Sequence, residues 1–308
     1  MHDMRSTLLF VCVLGAWGCS ARDAAPARDS LATRGVVISA SPPPLGADTG
    51  VLFEVRVFEM EAPTLTPIAM LLGDSIVGVR QFEEESPNDP FVRRFLAPNT
   101  EYSMFVGGAP AGSARIVSAA WTGCSAYSAN VVVTGATLPR TGALAGHLAG
   151  RSRTARRRPM SSAEQAAFDS LVLSVLQAHN VAPPAPRVSE SPAGFSFTVG
   201  TGSAEVTVLV GSYNYDVPPA DSSHTVSVSL VAERIAGAWA IRWQVFREAS
   251  GSENAGGGPE PIDVLDIDGD GTVELFLADY GWESRWYEIM RRGPDGWTVK
   301  FGGGGDGC

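Results

Sequence analysis

The sequence predicts a mainly β to α+β protein, with antiparallel sheets in both halves and one amphipathic helix opening the second half. Three observations carry this. Apolar residues alternate with polar ones in many short runs, as Val51, Phe53, Val55 and Val57 do against Glu54 and Arg56. Clusters of Gly, Pro, Asn and Asp separate those runs, as hairpins require. Only one stretch, behind Ser161, keeps helical spacing.

Residues 1–18 read as an export signal. Met4-Arg5 supplies a short positive start and Leu8 to Trp17 an apolar run too short for a stable bilayer span, with cleavage between Gly18 and Cys19. Ala16-Trp17-Gly18-Cys19 is similar to a bacterial lipobox. The resemblance implies lipid on Cys19, hence attachment to a membrane, and, with Ser20 next, an outer-membrane lipoprotein of the bacterial envelope. Ala16-x-Gly18 also satisfies an ordinary secretory site at the same bond, which leaves a periplasmic or secreted protein as the alternative. Residues 19–34, rich in Ala, Arg, Asp and Pro without apolar period, are expected to form a flexible tether.

Residues 35–134 are expected to form an antiparallel β domain. After the alternating Val51 to Glu59 come shorter strand-like runs: Ile68 to Leu72, Phe91 to Leu96, Tyr102 to Val106, Ala114 to Ala120 and Asn130 to Thr134. Residues 135–160 change character. Arg151, Arg153, Arg156, Arg157 and Arg158 sit among small neighbours, an Arg-rich linker or else a surface for anionic lipid or polysaccharide.

Residues 161–308 open with Ser161-Ser-Ala-Glu164, a capping box, and Phe168, Leu171, Val172, Val175 and Leu176 continue at helical spacing to His179. Pro183, Pro184 and Pro186 stop the helix, and His179 suits its C-terminal end better than a metal site. Paired strands follow: Phe195 to Val199 with Ala204 to Val210, His224 to Arg234 with Ala238 to Arg247, and Thr272 to Asp279, Ser284 to Arg291 and Trp297 to Phe301. Trp239 and Trp243, like Trp282 and Trp286, are an even number apart, which predicts each pair on one sheet face as core. Exposed, such a row would be a glycan-stacking face.

Within that half lies Asp263-Val-Leu-Asp266-Ile-Asp268-Gly-Asp270-Gly271-Thr272-Val-Glu274. Carboxylates at every second position, a glycine for the sharp turn and a further Glu gather hard oxygens, as calcium requires. An EF-hand needs Glu at position twelve, where this chain has Leu277. The run into alternating Val273, Leu275 and Leu277 resembles the calcium loops of FG-GAP and VCBS-type repeats of bacterial surface proteins. The resemblance implies calcium held by side chains of Asp266, Asp268, Asp270 and Glu274 and by the Thr272 carbonyl. A single copy speaks against a propeller. The alternative is an acidic hairpin turn that holds no ion.

A formal charge of −10 argues against a nucleic-acid partner. Of four cysteines, Cys12 leaves with the signal and Cys19 is the lipid candidate, so Cys124 and Cys308 are expected to pair as a disulfide in an oxidising compartment. Leu72-Gly73-Asp74-Ser75-Ile76 and Asp221-Ser-Ser-His224 resemble two blocks of GDSL-type serine hydrolases, which would make Ser75 the nucleophile, His224 its base and Asp221 the orienting acid. The oxyanion-hole block is missing and the strand-rich pattern does not suit that α/β family. The sequence therefore reads as an exported envelope protein with a structural calcium loop and no catalysis, a binding or assembly module for an envelope protein or glycan; the hydrolase is the alternative.

Overall fold

Strands dominate the computed structural model, which describes residues 49–57, 62–73, 75–80, 82, 84–86, 88–123, 126–135, 138, 142–148, 157–182, 193–200, 205–216, 224–250, 257–281 and 284–307. All belong to one unit, Ile38–Cys308. The expected signal and tether, Cys19, Cys124, Cys308, Asp221 and Arg151 to Arg156 lie outside the described residues.

The first half supplies β1 (Thr49–Arg56), β2 (Thr64–Leu72), β3 (Ser75–Gly78), α1 (Pro90–Phe95), β4 (Glu101–Val106), β5 (Ala109–Trp121), β6 (Tyr127–Gly135) and β7 (Ala143–Gly146). Six of these strands pair in the order β1-β7-β4-β5-β6-β2, and β2 pairs back to β1, so the sheet closes into a barrel; β3 hangs on β2. Closure removes the open edges that a flat sheet would leave. Inward residues such as Val51, Phe53, Tyr102, Met104 and Ile116 fill the interior, and Phe91, Val92 and Phe95 of α1 pack into the same core.

Two expectations are corrected here. Phe91 to Leu96, read as strand, is helical, because the Asp89 side chain accepts from Phe91 N at 2.8 Å and Pro90 occupies the first turn. The 135–160 stretch, read as a linker, contains β7, fully buried between β1 and β4. Its small residues are what closure needs: a Cβ on Gly146 would come within 2.6 Å of the Val51 carbonyl.

The second half begins with α2 (Ser162–Ala178), whose capping box forms: Ser161 N donates to Glu164 Oε2 at 2.8 Å and the Ser161 side chain accepts from Glu164 N. Next come β8 (Ala193–Val199), β9 (Val206–Asp216), β10 (His224–Ile235) and β11 (Ala238–Ser250), in spatial order β11-β10-β9-β8. Ala236 and Gly237, at φ 50° and 86°, make the two-residue turn between β10 and β11. The last sheet is the meander β12 (Glu260–Leu265), β13 (Glu274–Tyr280), β14 (Ser284–Gly293) and β15 (Gly296–Gly307). Gly302 to Gly307, despite their glycine content, belong to β15, which pairs with β14. Here glycine is required: a Cβ on Gly304 (φ 68°) would collide with the Ile68 carbonyl.

The layers stack on the meander. One of its faces, with Ile262, Phe276, Tyr287 and Ile289, packs on the outer wall of the barrel through Leu52, Ile68, Phe105 and Leu144. Its other face, with Val264, Leu275, Leu277 and Met290, packs on Phe195, Phe197, Val208 and Val210 of the β8–β11 sheet. The far side of that sheet carries α2 through Phe168, Val172 and Leu176. Cores shared in this way join the two halves, where the sequence suggested two domains with a linker between. A further correction concerns the tryptophans. Val231 pairs with Trp243 and Ala232 with Ile241, so Arg242 is a bulge residue. The extra residue puts Trp239 on the α2 side and Trp243 on the meander side.

Candidate metal centre

The acidic loop connects β12 to β13. Leu265 pairs with Glu274 at its base, so the ladder itself brings the ends of the loop together. Gly269 and Gly271 have φ of 76° and 86°, and this left-handed backbone turns their N–H groups inward. Asp266, 3% exposed, accepts both, from Gly269 N at 2.6 Å and Gly271 N at 2.9 Å. Asp268 Oδ1 accepts from Asp270 N at 3.2 Å, and Glu274, 1% exposed, accepts from Ile267 N at 3.0 Å.

One oxygen each from Asp266, Asp268 and Glu274 lies within 4.8 Å of the others, a triad that can hold a metal ion. Thus the fold gathers three of the five expected ligands. The other two bond to each other: Asp270, more exposed, accepts from Thr272 N at 2.7 Å. His179, the weaker metal candidate, caps α2 and stacks on Phe246 at 3.8 Å.

A residue that sequence reasoning missed stands among these carboxylates. Arg291 stands opposite Glu274 in the β13–β14 register. Its Nη2 lies 2.5 Å from Asp268 Oδ2 and 2.5 Å from Glu274 Oε1, its Nε donates to Glu274 Oε1 at 2.6 Å, and Nη1 is 3.5 Å from Asp270 Oδ2. Burial pushes the Glu274 carboxyl up to about 7, against the pull of the Ile267 N–H and of Arg291. Burial also acts upward on Asp268, but hydrogen bonds from Arg291 and the Asp270 N–H outweigh it and hold this carboxyl below its ordinary value. Those bonds, with Asp268 foremost, raise the Arg291 guanidinium. Beside the loop runs a groove of about 410 Å³, lined by Val199, Gly200, Gly271, Thr272, Gly293 and Pro294.

The other buried acids are held differently. Glu54 of β1 accepts from Arg285 at 2.6 Å and from the Tyr287 hydroxyl at 2.7 Å. Glu233 of β10 accepts from Arg292 at 2.7 Å and Trp297 Nε1 at 3.0 Å, and Asp279 of β13 pairs with Arg247. Asp263 of β12 accepts from Gly107 N at 2.9 Å and Val264 N at 2.8 Å, with Arg157 at 3.7 Å. Burial pushes Asp263 up to about 6, against Arg157 and those N–H groups. Arg157 also donates to the Ile262 carbonyl and lies over the Phe195 ring, while Arg158 grips Glu164 through two 2.6 Å bonds. Arg157 of the expected linker is therefore part of the packing, while Arg158 forms an exposed ion pair at the start of α2.

Of the hydrolase candidates, Ser75 is exposed on β3 at the barrel, and His224 begins β10 with its ring bonded to Glu248 at 2.7 Å. Among the described residues no contact joins Ser75 to His224. Comparison with family models, curated proteins and solved structures found no match, so the reading of the site rests on its own geometry.

Proposed function

We propose that this chain is an exported envelope protein, anchored through lipid on Cys19, that serves as a non-catalytic binding or assembly module and holds calcium in its acidic loop. The observation that carries the metal reading is the convergence of Asp266, Asp268 and Glu274 within 4.8 Å. All three donors are hard oxygens, which suit calcium or magnesium rather than zinc or copper. Asp270 and the Thr272 carbonyl complete the set, following the resemblance to FG-GAP and VCBS-type loops. Export and the anchor rest on the apolar run that ends at Gly18-Cys19. Envelope protein or glycan is the partner class this reading implies, and net charge argues against nucleic acid.

Three converging carboxylates fall short of the six to eight oxygens calcium takes, so affinity belongs in the weak extracellular range of roughly 0.1 to 1 mM. At ten times the dissociation constant, linkage then adds about 1.4 kcal/mol, a rise of a few degrees in Tm. The test is thermal unfolding in EDTA, calcium or magnesium, on wild type and Asp268→Ala. Calcium is expected to raise Tm of the wild type alone, and magnesium to do so less. Equal melting in EDTA and millimolar calcium would mean that the loop is an acidic turn. Mass spectrometry of envelope-expressed protein tests the anchor, which an unmodified N-terminal Cys19 removes.

A further inference from the structure

We propose that Arg291 is a tethered rival of the metal ion, and that the ion binds only by displacing its guanidinium from Asp268 and Glu274. This rests on the loop being a cation site, as proposed above. The geometry is specific. Arg291 Nη2 stands 2.5 Å from Asp268 Oδ2 and 2.5 Å from Glu274 Oε1. Calcium bound to those same two oxygens would stand roughly 2.3–2.6 Å from each, the distance at which the guanidinium now contacts both. Volume and like charge both forbid the two from being there together.

Charge explains why an ion could win. Asp266, Asp268, Asp270 and Glu274 bring four formal negative charges, and Arg291 returns one. Asp266, buried to 3% exposure, touches only backbone N–H groups and, among the described residues, has no arginine or lysine against it. A divalent ion in the triad serves Asp266 as well as the pair that Arg291 holds, and supplies twice the charge. Arg291 also has somewhere to go, since its side chain is 30% exposed. The observed affinity is then the carboxylates' preference for the ion less their attachment to the guanidinium, so Arg291 sets the calcium concentration at which the loop responds.

The experiment is calorimetric titration of the full chain with calcium chloride, on wild type, Arg291→Gln, Arg291→Lys and, as a control, Arg158→Gln. Arg291→Gln is expected to bind calcium about ten-fold more tightly or better, as loss of a unit charge at contact distance implies. Arg291→Lys is expected to lie between, and Arg158→Gln to match wild type. Binding by Arg291→Gln that equals or falls below wild type overturns the rivalry while leaving the calcium site standing. No binding by either protein removes the site and the rivalry together. Should Arg291→Gln fail to fold, proton exchange at Arg291 Nε of the wild type decides, because its bond to Glu274 Oε1 must break when calcium enters. Faster exchange on calcium addition supports displacement; unchanged protection at calcium saturation overturns it.

Discussion

Glu54, Glu233, Asp263 and Asp279 each meet an arginine of their own across a layer boundary, whereas Asp268, Asp270 and Glu274 share the single Arg291, and Asp266 beside them meets only backbone N–H groups. Both sets contain buried carboxylates. In the first, each charge is answered by hydrogen bonds and a dedicated cation, the condition under which a buried acid is tolerated. In the second, formal negative charge exceeds the positive charge near it, and the repulsion is met by backbone N–H groups, by Arg291 and by the raised Glu274 carboxyl. The contrast separates acids that fasten the layers from acids available to a ligand.

The largest effect should come from stranding a fastening acid. Arg285→Met leaves Glu54, 2% exposed, without its guanidinium and should cost about 3–5 kcal/mol in urea unfolding. Replacing the whole cluster, as Glu54→Leu with Arg285→Met and Tyr287→Phe, should recover much of that loss, because a buried ion pair and an apolar cluster of like volume are comparable. If Arg285→Met costs under about 1 kcal/mol, the seam acids are no better held than the loop and the comparison fails.

A smaller effect should appear with pH at Asp263. Its folded-state value of about 6 lies above the ordinary 3.8, so its contribution is full below about pH 4 and is lost as pH rises through 6. Asp263→Asn should remove that slope, and Tm of wild type minus variant, followed from pH 4 to 7, should fall. A flat difference would show that Arg157 and the Gly107 N–H already offset burial in full. The smallest effect has the opposite sign from the seam. In EDTA, Asp270→Asn, at a side chain 45% exposed, removes a like charge from the loop and should raise stability by up to about 0.5 kcal/mol. With calcium present, the same variant should lose part of the ion's stabilisation.

Most of the second half is legible in the sequence, because its signals are local. Ser161 and Glu164 announce α2 three residues apart, and Ala236-Gly237 marks a turn between runs that alternate. The loop is legible for the same reason, its acids lying within nine residues. What stayed hidden depends on distant partners. Ala143-Leu-Ala-Gly146 has no strong strand propensity and becomes a strand because the barrel needs a narrow one between β1 and β4. Arg291 is one arginine among many until the β13–β14 register sets it against Glu274. The bulge at Arg242 shifts Trp243 to the other face, which no even-numbered spacing can reveal. Phe91 to Leu96 was the exception, since Asp89-Pro90 is a local helix start that outweighs an ambiguous apolar run.

Because the β12–β15 meander is covered on both sides, it governs the order in which this chain can be completed. The barrel, residues 49–148, and the β8–β11 sheet, residues 193–250, each present an apolar face that, among the described residues, is covered by residues 260–307. A nascent chain that has made both therefore carries two exposed sticky surfaces at once, and its last fifty or so residues act as the interleaf that quenches them together. The same arrangement makes piecemeal opening costly, since withdrawing the interleaf bares both faces in a single step.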